Sequence, residues 1–365
     1  MRKLKAEINL LEIRDKYGDE RKTELLDSTD EIDIEDLIEE EDVVITMTHT
    51  GYIKRLKTDT YRSQRRGGRG ISGMATKEED FVENIFTTST HNLILCFTNK
   101  GRMFKIKGYQ IPEASRTAKG MPIVNLLSLD AGEKVTATIP IKEFDEESYL
   151  TMITKMGTIK KTKLSEYNSN RSGGLNAIGL NDDDELIKVA ITNGENDVII
   201  GTYMGNAIRF NEQDVRPMGR TAHGVRGIKL REGDFVVGAC LVSDDTKLLV
   251  ISENGMGKRT ELSEYKVQTR GGKGIRTYKI SGKTGNVAGI NTVTEEDDIM
   301  LITSEGVIIR TGVEEISTLG RDTSGVKIMK LKDEVKVVSF AVVEKEDEED
   351  IEETAEQEAS ETQEN

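Results

Sequence analysis

An apolar run ending in glycine recurs six times along the chain, and this repeat constrains the fold more than any other feature. The runs are VVITMTHTG to Gly51, LILCFTNKG to Gly101, LTMITKMG to Gly157, VIIGTYMG to Gly205, LLVISENG to Gly255 and IMLITSEG to Gly306. The steps between these glycines are 50, 56, 48, 50 and 51 residues. A period near 50 marks a solenoid or propeller rather than separate globules. The segments are short, β-branched and broken by glycine, which favours about four strands per unit over helices. The runs are continuous rather than alternating, so these strands should be buried on both faces. The T-x-x-G pieces read as tight hairpin turns in which glycine supplies a positive φ. Six units, none able to close a core alone, predict an all-β, six-bladed, propeller-like disc.

The net charge of −15 changes meaning once it is divided along the chain. Residues 344–365 hold twelve acids and one lysine, and residues 1–41 hold fifteen acids and seven bases. The middle, 42–343, carries 39 acids and 43 bases, so the repeat array itself is slightly basic. The acidic end is low in large apolar residues and reads as a disordered tail, either a solubiliser or a tethered polyanion competing for a basic surface. Leu4, Ile8 and Leu11 recur at helical spacing over residues 2–17, and Gly18 stops the pattern. The expected organisation is therefore a helical end at 1–26, an acidic linker at 27–41, the six-bladed array at 42–343 and the tail at 344–365.

Two basic registers run through the array. Four residues after each glycine stands Arg55, Lys105, Lys161, Arg209, Arg259 or Arg310. Fifteen after it stands Arg66, Arg116, Arg220, Arg270 or Arg321, with Arg171 at fourteen. Lys54, Lys119 and Lys273 stand beside these positions. A strand alternates faces, and the residue two before the first base is usually apolar. That pattern is read as running from core to solvent, with the base at the outer end of the blade. The second base sits in a glycine-rich loop that lets a ligand approach closely. Cations in a periodic belt suit a polymer of phosphates better than one metabolite. Two contacts on each of six blades would give a salt slope near about −11. A continuous belt can also repay the several kcal/mol needed to bend a duplex by about 90°. The partner expected is double-stranded DNA, wrapped with weak base preference, because no recognition helix, zinc finger or stacking platform stands out.

Other chemistries find little support. Gly68, Gly70 and Gly73 match G-x-G-x-x-G, but no strand leads straight in and no helix follows. SGKT at 281–284 has Thr277 where a phosphate loop needs its first glycine. NDDDE at 181–185 lacks the glycine and distal glutamate of a calcium loop. Cys96 and Cys240 read as buried hydrophobes in a reducing compartment. His49, His91 and His223 are isolated, so no metal site is expected. No run reaches the roughly 18 apolar residues of a membrane span, and no secretory signal is seen, which points to the cytoplasm. No nucleophile–base set stands out, and no catalytic residues are assigned.

Gln64-Arg65-Arg66-Gly67-Gly68-Arg69-Gly70 resembles the gyrase A box, Q-R-R-G-G-K-G, with Arg69 in place of its lysine. That motif is specific to the C-terminal domain family of DNA gyrase A subunits, and the resemblance covers nearly the whole chain. YGDERKTE at 17–24 is similar to the family's segment leaving the coiled coil. The resemblance implies a β-pinwheel whose blades exchange strands. Its rim wraps DNA in a positive sense, so that an A2B2 holoenzyme with the gyrase B subunit introduces negative supercoils. It implies that Gln64 through Gly70 contact DNA, and that no cofactor is held here, with Mg2+ and ATP used elsewhere in the holoenzyme. An isolated monomeric domain in the bacterial cytoplasm, associated with the nucleoid, is implied as well. Arg69 keeps the charge, although arginine and lysine are not equivalent donors. The fifth repeat echoes the box at Gln268–Gly274, whereas the third repeat's loop, Arg171-Ser172-Gly173-Gly174-Leu175, has fewer charges. The C-terminal part of topoisomerase IV's A subunit shares such blades, but it typically lacks an intact box. A protein-binding kelch-type propeller would need aromatic signatures, and this chain has no Trp.

Overall fold

Each apolar run forms the first strand of a hairpin, and in the first five repeats a T-x-x-G sequence, S-x-x-G in the fifth, makes the turn. The computed structural model describes residues 13–18, 34–57, 82–115, 118–169, 171, 173–305, 307–332 and 334–345. In the turns, the glycine N–H of Gly101, Gly157 and Gly205 donates to the carbonyl three residues back, at 2.9–3.0 Å. The buried threonine hydroxyl there also accepts the N–H of the residue after the glycine, as Thr98 does from Arg102 and Thr202 from Asn206. Gly205 has φ +76°, and an added Cβ would lie 2.9 Å from the carbonyl oxygen of Tyr278, in the next repeat. Glycine is therefore required twice, by the turn and by the docking of a neighbour.

The chain divides into two compact units, Met1–Glu39 and Glu40–Asn365. In the first, residues 13–17 are helical and Ile34–Leu37 form a short 3-10 turn. Residues 2–12 of the expected helix, 27–33 of the expected linker and the tail from 346 lie outside the described residues.

The second unit is all-β, with six antiparallel sheets, one for each repeat. The fourth blade shows the plan. Its hairpin, Asp197–Thr202 with Asn206–Asn211, pairs Ile200 with Ile208. Val236–Leu241 flanks the first hairpin strand, and Ile275–Arg276 flanks the second. This last pair of residues belongs to the fifth repeat, and each repeat from the second to the sixth gives such a two-residue strand to the blade before it. The other four are Met121–Pro122, Leu175–Asn176, Val225–Arg226 and Val326–Lys327. Strand exchange of this kind was implied by the family resemblance.

The flanking strands Val82–Ser89, Val135–Ile141, Leu186–Thr192, Val236–Leu241, Val287–Val293 and Val337–Glu344 contact one another in that order, and the last contacts the first. They form the inner lining of a closed ring, and the two-residue strands lie at the outer edge of the first five sheets, the sixth having three strands among the described residues. Neighbouring blades cover both faces of the hairpins in the inner blades, whereas the second strand of the sixth, Ile308–Gly312, stays partly exposed. Val198 to Thr202 are all buried, as the continuous apolar run predicts. The seam between the fourth and fifth blades packs Ile199, Leu248, Val250, Tyr265 and Tyr278. Each large aliphatic side chain so buried contributes about 1.5–3 kcal/mol. Cys96 and Cys240 are buried among these seams, and burial pushes both thiols up to about 12.

Candidate nucleic-acid interface

The first basic register does not face solvent as its spacing suggested. In the hairpin strand that follows each turn, the residue two after the glycine is buried in the first five repeats and half-buried in the sixth, and the base two further on shares its side. Since neighbouring blades cover that side, the base is drawn into the seam. Arg55 donates from Nε to the carbonyl of Ile111 at 2.8 Å and lies within 4 Å of Glu41 and Glu113. The Lys161 ammonium donates to the Glu212 carbonyl at 2.8 Å, with the buried Glu212 carboxylate 3.9 Å away. Burial lowers the Lys161 pKa below the ordinary lysine range, against the opposing pull of Glu212. Arg209 pairs with Asp197 at 2.8 Å and donates to the Leu262 carbonyl. Arg259 donates to the carbonyls of Ile316 and Glu314, and Arg310 pairs with Asp298 at 2.7 Å. Lys105 is half-buried, with its ammonium 5.9 Å from the centre of the Phe144 ring. Arg55, Lys161, Arg209 and Arg259 thus clamp one repeat to the next, and Arg310 pairs within its own blade, instead of forming the blade's outer tip.

Three lysines one position earlier extend this internal role. Lys54, Lys160 and Lys258 are fully buried on alternate blades. Lys54 donates to the carbonyls of Ser115 and Ala118, at 3.1 and 2.9 Å. Lys160 donates to Ala177 and Arg220, and Lys258 to Gly320 and Arg321. Each therefore pins the next repeat's arginine loop by its backbone. Burial pushes Lys160 and Lys258 down to about 8. A buried ammonium persists here because carbonyls replace its water.

The second register lies at the outer edge, just ahead of the two-residue strands. Its backbone is latched. The N–H of Arg220 donates to Glu166, that of Arg270 to Asp214 and that of Arg321 to Glu264, at 3.2, 3.3 and 2.7 Å. The three guanidinium groups repeat one contact: each donates to a backbone carbonyl of the preceding repeat, at Asn176, Arg226 and Arg276. Arg270 also donates to the Asp214 carbonyl at 2.8 Å. A guanidinium has five N–H donors, so these half-buried groups are held in place with donors left for a ligand. Arg171 is exposed, as is Lys273. The Lys119 ammonium sits 3.8 Å from the centre of the Tyr52 ring.

Gln64, Arg65, Arg66, Gly67, Gly68, Arg69, Gly70 and Arg116 lie outside the described residues. Within them, the sequence reading passed over a third set of bases. Arg226, Arg276 and Lys327 are the second residues of two-residue strands, and Lys229, Lys279 and Lys330 follow three later; all six are exposed. The signal was VRGIK, IRTYK and VKIMK, at 225–229, 275–279 and 326–330. Among the described residues no group of histidine, cysteine and carboxylate side chains could hold a metal ion, and no helix is long and apolar enough to cross a membrane.

Six segments of the chain, 42–89, 92–142, 148–193, 196–243, 246–294 and 297–344, match the family described as DNA gyrase C-terminal domain, beta-propeller. The DNA gyrase A subunit of Clostridium acetobutylicum is 57% identical over 353 residues, covering 97% of this chain and 42% of that protein. Its counterpart from Staphylococcus epidermidis is 49% identical over 342 residues, 93% of this chain and 38% of that protein. The chain thus spans about two fifths of the length of these relatives. Among solved structures, the C-terminal domain of DNA topoisomerase IV superposes with a TM-score of 0.76 at 29% identity, covering 88% of this chain and 99% of that one. A DNA gyrase A C-terminal domain superposes with a TM-score of 0.63 at 30% identity, covering 83% and 100%.

Proposed function

The chain belongs to the DNA gyrase A C-terminal domain family, and on that premise we propose that it wraps duplex DNA around the outer edge of the ring in a positive sense. The observation that carries this reading is the repetition of Arg220, Arg270 and Arg321. They stand at one position on successive blades, and each is held by the same backbone latch and the same carbonyl contact. A periodic row of preset guanidinium groups suits phosphates that recur along a stiff polymer. The latches fix the donors before DNA arrives, which lowers the ordering cost of binding. Arg116, Lys119, Arg171, Lys273 and the residues Gln64 to Gly70 complete the proposed contact set. The seam cations Lys54, Arg55, Lys161, Arg209, Arg259 and Arg310 are left out of it, because their donors are engaged within the protein.

In this reading the chain bends and presents DNA, while strand breakage and ATP hydrolysis belong to other parts of a larger enzyme. With a gyrase B subunit in an A2B2 assembly, the wrap would fix the sign of the supercoils introduced. Mg2+ and ATP would act in those other parts, in the cytoplasm and at the nucleoid. A corresponding role in topoisomerase IV is the second reading, favoured by the superposition with that enzyme's C-terminal domain. The complete box at 64–70 and the gyrase A relatives at 57% and 49% identity weigh for gyrase.

The test uses small circular DNA, this chain and a relaxing topoisomerase. Wrapping leaves a positive linking-number change after the protein is removed. No change at saturating protein would leave a DNA-binding or protein-binding scaffold that does not wrap.

A further inference from the structure

The six exposed bases of the third set are confined to half of the ring. In the fourth, fifth and sixth repeats, the two-residue strand and the position three beyond it carry Arg226 and Lys229, Arg276 and Lys279, Lys327 and Lys330. The same positions hold Pro122 and Asn125 in the second repeat, and Asn176 and Gly179 in the third. In the third repeat the local structure is the same without the bases as it is in the fourth to sixth with them. Ile178, Ile228, Tyr278 and Met329 are the buried anchors between the paired positions. Each donates its backbone N–H to a turn glycine of the preceding repeat: Gly101, Gly157, Gly205 and Gly255 in turn. The third repeat thus docks equally well with Asn176 and Gly179, so the fold does not call for cations there.

Nor are these bases neutralised by the protein. Arg276 lies 3.3 Å from Asp322, an exposed pair of small worth. Among the described residues, Arg226, Lys229, Lys279, Lys327 and Lys330 enter no ion pair. This is the reverse of the seam register, where carboxylates and carbonyls take up the donors. Unpaired like charges on consecutive blades repel one another, which favours a polyanion that lies across all three.

We infer that the outer edge of blades three to five, where these strands pair, carries a second phosphate track, so that DNA is gripped more strongly along that arc than along the arc of blades one and two. The arc is built by repeats four to six. The ligand is the duplex backbone, and the inference rests on the wrapping reading above. The latched arginines fix where the duplex runs, and the exposed lysine and arginine side chains beside them add charge without base preference. The bound duplex is therefore asymmetric, with its tight and loose parts set by repeat order.

The experiment compares the full chain with a variant carrying Arg226→Asn, Lys229→Asn, Arg276→Asn, Lys279→Asn, Lys327→Asn and Lys330→Asn. Asparagine already occupies these positions at Asn125 and Asn176, so the thermal midpoint should stay within a few degrees of wild type. Affinity for a long linear duplex is measured from 0.05 to 0.2 M salt. Loss of about six phosphate contacts flattens the salt slope by about 5, so the variant loses roughly a thousandfold less affinity than wild type over that range. A second variant, Asn125→Lys with Asn176→Lys, should steepen the slope by about 2. A six-Asn slope within one unit of wild type, in a wild-type chain that changes linking number, overturns the second track alone. A wild-type chain that neither binds nor changes linking number overturns the wrapping reading, and the track with it.

Discussion

Replacing Arg259 with alanine should weaken the fold and leave DNA binding nearly intact. Arg259 is 6% exposed. It donates to the Ile316 carbonyl at 2.6 Å and to the Glu314 carbonyl at 3.3 Å, and its NH1 lies 3.3 Å from Glu295. Glu295 is 65% exposed and regains water when the arginine leaves, so little is lost there. The carbonyls differ: a buried acceptor left unpaired costs about 1–3 kcal/mol. Loss of the buried aliphatic stem adds about 1–2 kcal/mol more. The sum is roughly 3 kcal/mol, which lowers the thermal midpoint by roughly 5–10 °C in a chain of this size. The salt slope of DNA binding should change by less than about 0.5, against a fall of about 1 for Arg321→Ala. The assays are a thermal melt and a salt titration on both variants. A normal melt for Arg259→Ala together with a slope reduced by one would refute the reasoning, since the guanidinium would then reach phosphate rather than the seam.

Replacing Arg65, Arg66 and Arg69 with alanine should abolish the linking-number change and leave much of the plain affinity; loss of both would make the box the sole contact. Lys160 and Lys258 titrate near 8 in the fold, against 10.5 in an unfolded chain. Below pH 8 both states are protonated, and the fold bears the whole cost of two buried charges. Between about 8 and 10.5 the unfolded chain holds those protons more tightly, so stability rises with pH. Urea midpoints at pH 7.5 and 9.5 should show that rise, and Lys258→Met should reduce it; a midpoint flat across the interval would show that these ammonium groups are not held as described. Removing residues 344–365 should tighten DNA binding at low salt and have little effect at high salt. Equal affinities at every ionic strength would leave that segment as a solubiliser.

The ring was legible in the sequence because its signals are local and repeated. A turn needs Thr98 and Gly101 within four residues, and a strand covered on both faces needs an unbroken apolar run such as Val198 to Thr202. The same coverage explains the misplaced register. Period-two alternation separates inside from outside only where one face meets water. Between two blades, the side shared by Ile53 and Arg55 is interior throughout, so alternation offered no exit for the cation. Lys160 and Lys161 adjoin and are both buried, which alternation alone would forbid. The exchanged strands are too short to show any period, and their partners lie a whole repeat away. Ile275 pairs with Ala207 across 68 residues. The exposed bases of VRGIK, IRTYK and VKIMK were readable as repeats, but only the seam bonds reveal that these bases and the loop arginines, unlike Arg209 or Arg259, retain donors for a ligand.

Hydroxyl-radical footprinting of a long linear duplex bound to the chain tests the central claim most directly. A duplex following the outer edge touches protein on one of its sides only, so protection should recur about every 10 base pairs over one continuous stretch. A single short protected patch, with the flanking backbone cleaved as in free DNA, would contradict the account.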